Sequence, residues 1–466
     1  MSLRGVGLPL VAMAVVVGGV VAIVAGGCST SKEQSTDDVG GDPSLVFRDP
    51  ASCQPCHTEH YDEWRGAMHA YAEKDPLFRA IVKVQAFDFS KSPGDFCTQC
   101  HTVPGFLRGE TIYEKVDGGI YQQKVEGLSL VAEQGVSCDV CHSIKRIEDH
   151  YNAHVDFEPN GAVRGPIADP VPNSFHASIE SPLHRTGEVC TGCHNVLLPA
   201  AKPIPLETTG DEWEAYQKGG GTKECQDCHM PEHDGKASND GPPRKVHRHT
   251  FVGVDVALLD EFPNRAEQLA LTTELLKNAV ELDAKSVIDA SGRVTGFSAT
   301  LKNVAGHAVP SGATTERKMW LEAKLSDSTG ALAYQTGQLD ANGDLKDEFP
   351  EHTLEPKGDP DLWWFGAFVT ATTKDFGRKL VDFPHEATEN ETRLLAPLAS
   401  QTKAFVFPAL APGAYTLRVR LLFRSVQPYF MRALEKHFIV KLDPKLKDKV
   451  PTFEMATKSL SFTVAP

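Results

Sequence analysis

Ten of the eleven cysteines fall into five Cys-x-x-Cys pairs, and a histidine follows each pair at once. The sets are Cys53/Cys56/His57, Cys97/Cys100/His101, Cys138/Cys141/His142, Cys190/Cys193/His194 and Cys225/Cys228/His229. Cys-x-x-Cys-His is the attachment signature of c-type haem. The two thiols add to the two vinyl groups, and the adjacent histidine supplies the proximal ligand to iron. A single copy would also suit a zinc half-site or a redox dithiol. Zinc needs ligands that close in fours, and a thioredoxin-type motif has no use for the histidine. Five copies therefore point to five covalent haems.

Five irons call for up to five distal ligands. Thirteen histidines lie outside the motifs: His60, His69, His150, His154, His176, His184, His233, His247, His249, His307, His352, His385 and His437. Met68 and Met230 adjoin His69 and His229, so neither can ligate beside its neighbour. His60 follows His57 by three residues and on a helix shares its face, which bars it from the far side of the same haem.

The elements that must position these groups differ between the two halves of the chain. The motifs begin 44, 41, 52 and 35 residues apart, too irregular for a structural repeat. Between them lie glycine, proline and short helical stretches such as "HYDEWRGAMHAYAEKD" and "GDEWEAYQKGG". Tyr61, Trp64, Trp213 and Tyr216 fall at three-residue spacings there and are expected to pack on haem edges. Residues 47–262 thus read as a loop-rich, mainly α domain whose interior is filled by haem. In "NRAEQLALTTELLKNAVEL", Leu269, Leu271, Leu275, Leu276 and Val280 recur at helical spacing and predict a connecting helix over 263–283. From 284 to 466 the pattern alternates in "RVTGFSATLKN", "KMWLEAKLSD", "KAFVFPALAPGAYTLRVRLLFR" and "KSLSFTV". Turn signals at Ser328-Thr329-Gly330, Asn342-Gly343 and Pro412-Gly413 separate these runs, and an antiparallel β-sandwich is expected. That half contains no cysteine.

The chain opens with Arg4, an apolar run from Val6 to Val24 and small residues up to Cys28, the layout of a secretory signal. Ala25-Gly26-Gly27-Cys28 resembles a bacterial lipobox, so residues 1–27 read as a signal peptide and Cys28 as the lipidated first residue. An uncleaved membrane helix is the alternative, since the run is just long enough to span a bilayer. Ser29, in place of aspartate, favours the outer membrane by analogy with lipoprotein sorting. Residues 28–46 form a polar tether. Export agrees with the motifs, because c-type haem is attached outside the cytoplasm. A formal net charge of -15 makes nucleic acid an unsuitable partner and favours basic ones.

Several stretches carry a family resemblance: "CQPCHTEHYDEWRGAMHA", "GPIADPVPNSFHASIESPLHRTGEVCTGCHN", "DEWEAYQKGGGTKECQDCHMP" and "HRHTFVGVD". From Cys53 to Gly253 the chain resembles the multihaem cytochromes related to the tetrahaem cytochrome c of ammonia oxidisers. The second half, with "NVAGHAVPSGATTER" near its start, resembles the β-domain appended to many bacterial multihaem cytochromes. The resemblance implies distal-ligand roles for His69, His176, His249 and His307. The fifth ligand stays open between His60, His150, His154 and His184, or an open site. All five motifs end in histidine, so the lysine-ligated haem of pentahaem nitrite reductases has no counterpart. The expected function is a lipid-anchored pentahaem carrier passing electrons between redox proteins of the bacterial envelope. The alternatives are an oxidoreductase with one open haem acting on a small nitrogen or sulfur oxide, and a subunit of a polymerised haem wire.

Overall fold

Alternating burial begins at Val280, and from there two antiparallel sheets are built. The computed structural model describes residues 45–88, 94–110, 113–115, 121–123, 127–198, 203–353, 358–373 and 377–465. The signal segment 1–27, Cys28 and most of the tether lie outside them. Among the described residues no helix is long and apolar enough to cross a membrane.

The smaller sheet has the order Val280–Ile288, Val294–Asn303, Ser400–Val406. In the larger sheet, Lys318–Asp327 lies between Trp363–Thr373 and Gly413–Arg424, and Phe453–Val464 pairs with the latter. Leu282, Phe297, Leu301 and Phe405 of the small sheet meet Met319, Leu321, Leu417, Val419 and Leu421 of the large one in a single core. Register puts Phe297 opposite Phe405, and their rings stack at 4.5 Å. The expected sandwich is the observed architecture of this half. Its turns follow the sequence signals: Gly330 and Gly343 adopt φ of +87° and +84°, values that favour glycine.

The connecting helix is shorter than expected, Arg265–Lys277, and Val280–Leu282 already belong to the first strand. Its buried positions are Gln268, Thr272 and Leu276, while Leu269 is exposed. Gln268 goes inside because its amide donates to Gly66 O and accepts from Ala257 N. Two specific backbone partners thus outweigh the apolar periodicity.

The first half is not simply helical. Short helices such as Thr58–Trp64, Met68–Tyr71 and Thr209–Lys218 alternate with two-stranded ladders, including the parallel pair Val163–Gly165 and Ser178–Glu180. Segments of three to five residues satisfy their backbone groups in these ladders.

The two halves interlock. Leu77, Ala80 and Val84 of the helix Pro76–Asp88 share a core with Phe430, Met431 and Leu434 of the helix Pro428–Lys436. A second join carries the loop after Asn303 onto the first half: Ser311 Oγ donates to Glu212 Oε2 at 2.6 Å, and Ala308 N to the same oxygen at 3.2 Å.

Candidate metal centres

Each motif is a single helical turn. In the first, His57 N donates to Cys53 O at 2.9 Å, and in the fourth, His194 N donates to Cys190 O at 3.0 Å. The second, third and fifth lie in the helices Gly94–His101, Cys138–His142 and Cys225–His229. Residues three and four apart share a helical face, so both sulfurs and the histidine point the same way.

Cys53 and the eight cysteines of the other four motifs are free thiols. A thioether forms when S–H adds across a vinyl double bond, so these sulfurs are in the state that attachment requires.

The motif histidines are held by one ring nitrogen. Nδ1 donates to a backbone carbonyl in four of them: His57 to Ala237 at 2.6 Å, His101 to Ala72 at 3.1 Å, His142 to Arg164 at 2.5 Å and His229 to Val252 at 2.5 Å. His194 Nδ1 instead meets Glu207 Oε1 at 2.9 Å. Fixing Nδ1 as donor leaves Nε2 with its lone pair free for a metal.

Four other imidazoles stand across from motif histidines. The ring centroids of His57 and His176, His142 and His249, and His69 and His194 are 6.3 Å apart, and those of His229 and His307 are 6.2 Å apart. Two imidazoles sharing one metal ion, each nitrogen about 2.0–2.1 Å from it, hold their centroids about 6.3 Å apart. The residues therefore fit a metal bound between each pair. Three pairs are near-parallel, at 18–22°, and the His69–His194 pair is tilted by 47°.

The facing histidines have their own supports. His249 Nδ1 donates to His247 O at 2.9 Å, and His249 N to Glu63 Oε2 at 2.7 Å. Arg248 Nη1 lies 2.5 Å from both Glu59 and Glu63, which holds that carboxylate in place. His307 Nδ1 donates to Ala308 O at 2.7 Å, and Asn303 Nδ2 donates to His307 O at 2.8 Å. His176 Nδ1 lies 3.2 Å from Ala177 O. Burial pushes His69 down to about 3 and His307 down to about 4, which keeps both rings neutral and able to donate a lone pair. His194 runs the other way. Burial pushes it down, but the Glu207 hydrogen bond and charge outweigh this and raise it to about 9.

None of the four candidates for a fifth ligand faces His101. His184 has both nitrogens engaged, Nδ1 with Ser181 Oγ and Nε2 with Cys141 O, each at 2.9 Å. His60 stacks on His249 at 4.5 Å, His150 Nδ1 meets Thr191 Oγ1 at 3.0 Å, and His154 lies beside Asp149 at the surface. The ring on His101 is Phe78, parallel within 5° and 4.0 Å away, which covers a face of the imidazole and offers no ligand atom. All eighteen histidines lie among the described residues, and no imidazole there stands opposite His101.

The thiols show how the motifs neighbour one another. Cys53 lies against Cys138, Cys100 against Cys193, and Cys190 against Cys225. The first motif therefore borders the third, and the fourth borders both the second and the fifth. Burial pushes the Cys97 and Cys141 thiols up to about 12. Of the aromatic residues, Trp64 is buried and donates from Nε1 to Val136 O at 2.9 Å, while Trp213 Nε1 donates to Lys223 O at 3.1 Å.

Sequence reasoning missed Glu207, Glu212, Glu63 and Asn303. Glu212 lies in "GDEWEAY", a stretch read there only for its aromatic residues. Nothing local marks Glu207 or Asn303, because tertiary contacts create their roles.

Residues 52–143 match the family model described as cytochrome c554 and c-prime. No curated protein matches the chain. Among solved structures, the chain is similar to a penta-heme cytochrome c552 from Thermochromatium tepidum, with 20% identity and a TM-score of 0.59. The alignment covers 88% of this chain and 97% of that one. The family match spans the first three motifs, and the structural likeness shows that the two chains share a fold across both halves.

Proposed function

We propose that this chain is a pentahaem c-type cytochrome that carries electrons between redox proteins of the bacterial envelope. The carrying observation is the set of four imidazole pairs at 6.2–6.3 Å, each containing one motif histidine. Cys53, Cys97/Cys100, Cys138/Cys141, Cys190/Cys193 and Cys225/Cys228 would attach the haems as the free thiols they are. Cys56 would join Cys53 at the first haem. His57, His101, His142, His194 and His229 would be the proximal ligands, and His176, His249, His69 and His307 the distal ones. A haem iron supplies reversible one-electron exchange, and bis-histidine ligation favours low potentials. The chain's own part is to fix each ring tautomer, hold paired rings at the ligating distance and keep neighbouring motifs in contact. Export with lipidation at Cys28 and anchoring to the outer membrane belong to this reading. Its partners are other redox proteins, with basic surfaces favoured by the charge of -15.

Pyridine haemochrome analysis of the holoprotein should give five covalent haems per chain, and ferric EPR should give four low-spin centres. His69→Ala should convert one low-spin centre to high spin and leave covalent haem unchanged. An unaltered spectrum would remove His69 from the ligand set.

A second reading rests on His101. With no imidazole opposite it, the haem at Cys97/Cys100 would keep an open position for a small nitrogen or sulfur oxide. A high-spin ferric signal that responds to nitrite or hydroxylamine supports that activity. Five low-spin centres and no response sink it.

A further inference from the structure

Four of the five motif histidines rest Nδ1 on a neutral backbone carbonyl, and His194 alone rests it on a carboxylate. The contact is built into the local fold. The strands Val196–Leu198 and Ile204–Glu207 pair with Val196 opposite Glu207, which brings the end of the second strand back beside the fourth motif. Gly210 N then donates to His194 O at 3.1 Å and fixes the motif's backbone against the same turn. Thr209 Oγ1 contacts Glu207 Oε1 at 3.4 Å and Ser311 Oγ at 2.8 Å, so the turn is tied to the other half of the molecule. Two residues after His194, the ladder that creates this contact begins.

A carboxylate on the far nitrogen of a metal-ligating imidazole raises the basicity of the near one. It also places a full negative charge close to the metal, which stabilises the more highly charged oxidised state. A carbonyl supplies only a dipole. Arg317 also acts on Glu207 with opposing charge, but Arg317 Nη2 is already paired with Asp255 Oδ2 at 2.8 Å.

We propose that Glu207 is a positioning residue that makes His194 an electron-rich ligand and holds the reduction potential of the haem at Cys190/Cys193 below those of its neighbours. The proposal rests on the pentahaem reading above. It has a consequence for the order of occupancy. The fourth motif is the one whose thiols touch both the second and the fifth, so the junction of the array is its lowest site and fills last.

The test is a spectroelectrochemical titration of the full-length holoprotein carrying Glu207→Gln, which keeps an acceptor oxygen but removes the charge. One of the five midpoint potentials should rise while the other four hold, with haem content and low-spin count unchanged. Glu207→Asp, which restores the charge on a shorter arm, should move that potential back towards the original. A titration that superimposes on the unaltered protein overturns the proposal, and so does a uniform shift of all five potentials. Loss of covalent haem in Glu207→Gln would assign Glu207 to folding alone and also overturn it. An unaltered chain without covalent haem sinks the pentahaem reading itself, whereas five intact haems with unmoved potentials sink only this inference.

Discussion

A distal ligand must be held at the right distance by groups that are not themselves ligands, and His69 shows how narrow that support is. Its carbonyl accepts from Val136 N at 3.0 Å. That contact exists because Gly135 turns the chain with φ +65° and ψ -124°, a conformation open to glycine alone in practice. A Cβ on Gly135 would lie 2.6 Å from His69 O, inside contact distance, and the obstacle is backbone that cannot swing aside. Gly135→Ala should therefore cost stability by about 1 kcal/mol or more and disturb the haem served by His69. Thermal unfolding with ferric EPR checks both effects, and a variant with native stability and an unchanged low-spin count refutes the claim. The motif cysteines and their histidines are legible in sequence because attachment chemistry fixes their spacing over five residues. His69, His176, His249 and His307 come from resemblance, since spacing says nothing about what stands across a haem. The glycine and carboxylate supports are illegible because their partners arrive from remote segments.

At the scale of elements, the sandwich is readable because period-2 alternation directly reports which face is buried. The Lys318–Asp327 strand tests that rule, since Lys318 is only 1 % exposed although it lies on the face opposite the sandwich core, with Trp320, while Met319, Leu321 and Leu325 face that core. Its ammonium donates to Ala367 O at 3.2 Å and sits 3.7 Å from the Trp364 ring centroid. A cation–π contact is worth about 0.5–2 kcal/mol, which is less than the several kcal/mol that removing a charge from water costs. Desolvation therefore wins. Burial depresses Lys318 from 10.5 to about 7, against the opposing pull of Asp347 and Glu348. Between those values the unfolded chain holds the proton and the folded one does not. Stability from this group is thus full above 10.5 and is lost as pH falls towards 7, with a slope of at most about 1.4 kcal/mol per pH unit. Lys318→Met should stabilise the protein at pH 7 and flatten the rise between about pH 7 and 9. Denaturation at the two pH values measures this, and a variant that is weaker at pH 7 or keeps the slope contradicts it. The helix Arg265–Lys277 marks the opposite failure of pattern reading: Gln268 is buried by two backbone hydrogen bonds that hydropathy cannot report.

At the scale of the whole molecule, the two halves read from sequence as separate units with different jobs, because the cysteine motifs end at Cys228 and alternation sets in from 284. The folded chain does not respect that division. The helix Pro76–Asp88 buries Leu77, Ala80 and Val84 against the helix Pro428–Lys436, in a core that also takes in Leu258 of the first half. His307, which faces His229 at 6.2 Å, is delivered by the second half and fastened through Ser311 and Ala308 to Glu212 of the first. Removing the second half would expose the apolar face of the first and take away the imidazole opposite His229. Each fully buried aliphatic side chain contributes about 1.5–3 kcal/mol, so the loss of a shared core is comparable with the total stability of a domain. A chain stopped after Phe262 should therefore attach haem at all five motifs, since those residues are intact, yet show one low-spin centre fewer and self-associate. Size-exclusion chromatography and ferric EPR on that truncated holoprotein, beside the full chain, read both effects. A monodisperse truncation with the full low-spin complement would show that the first half is self-sufficient and that His307 holds no iron.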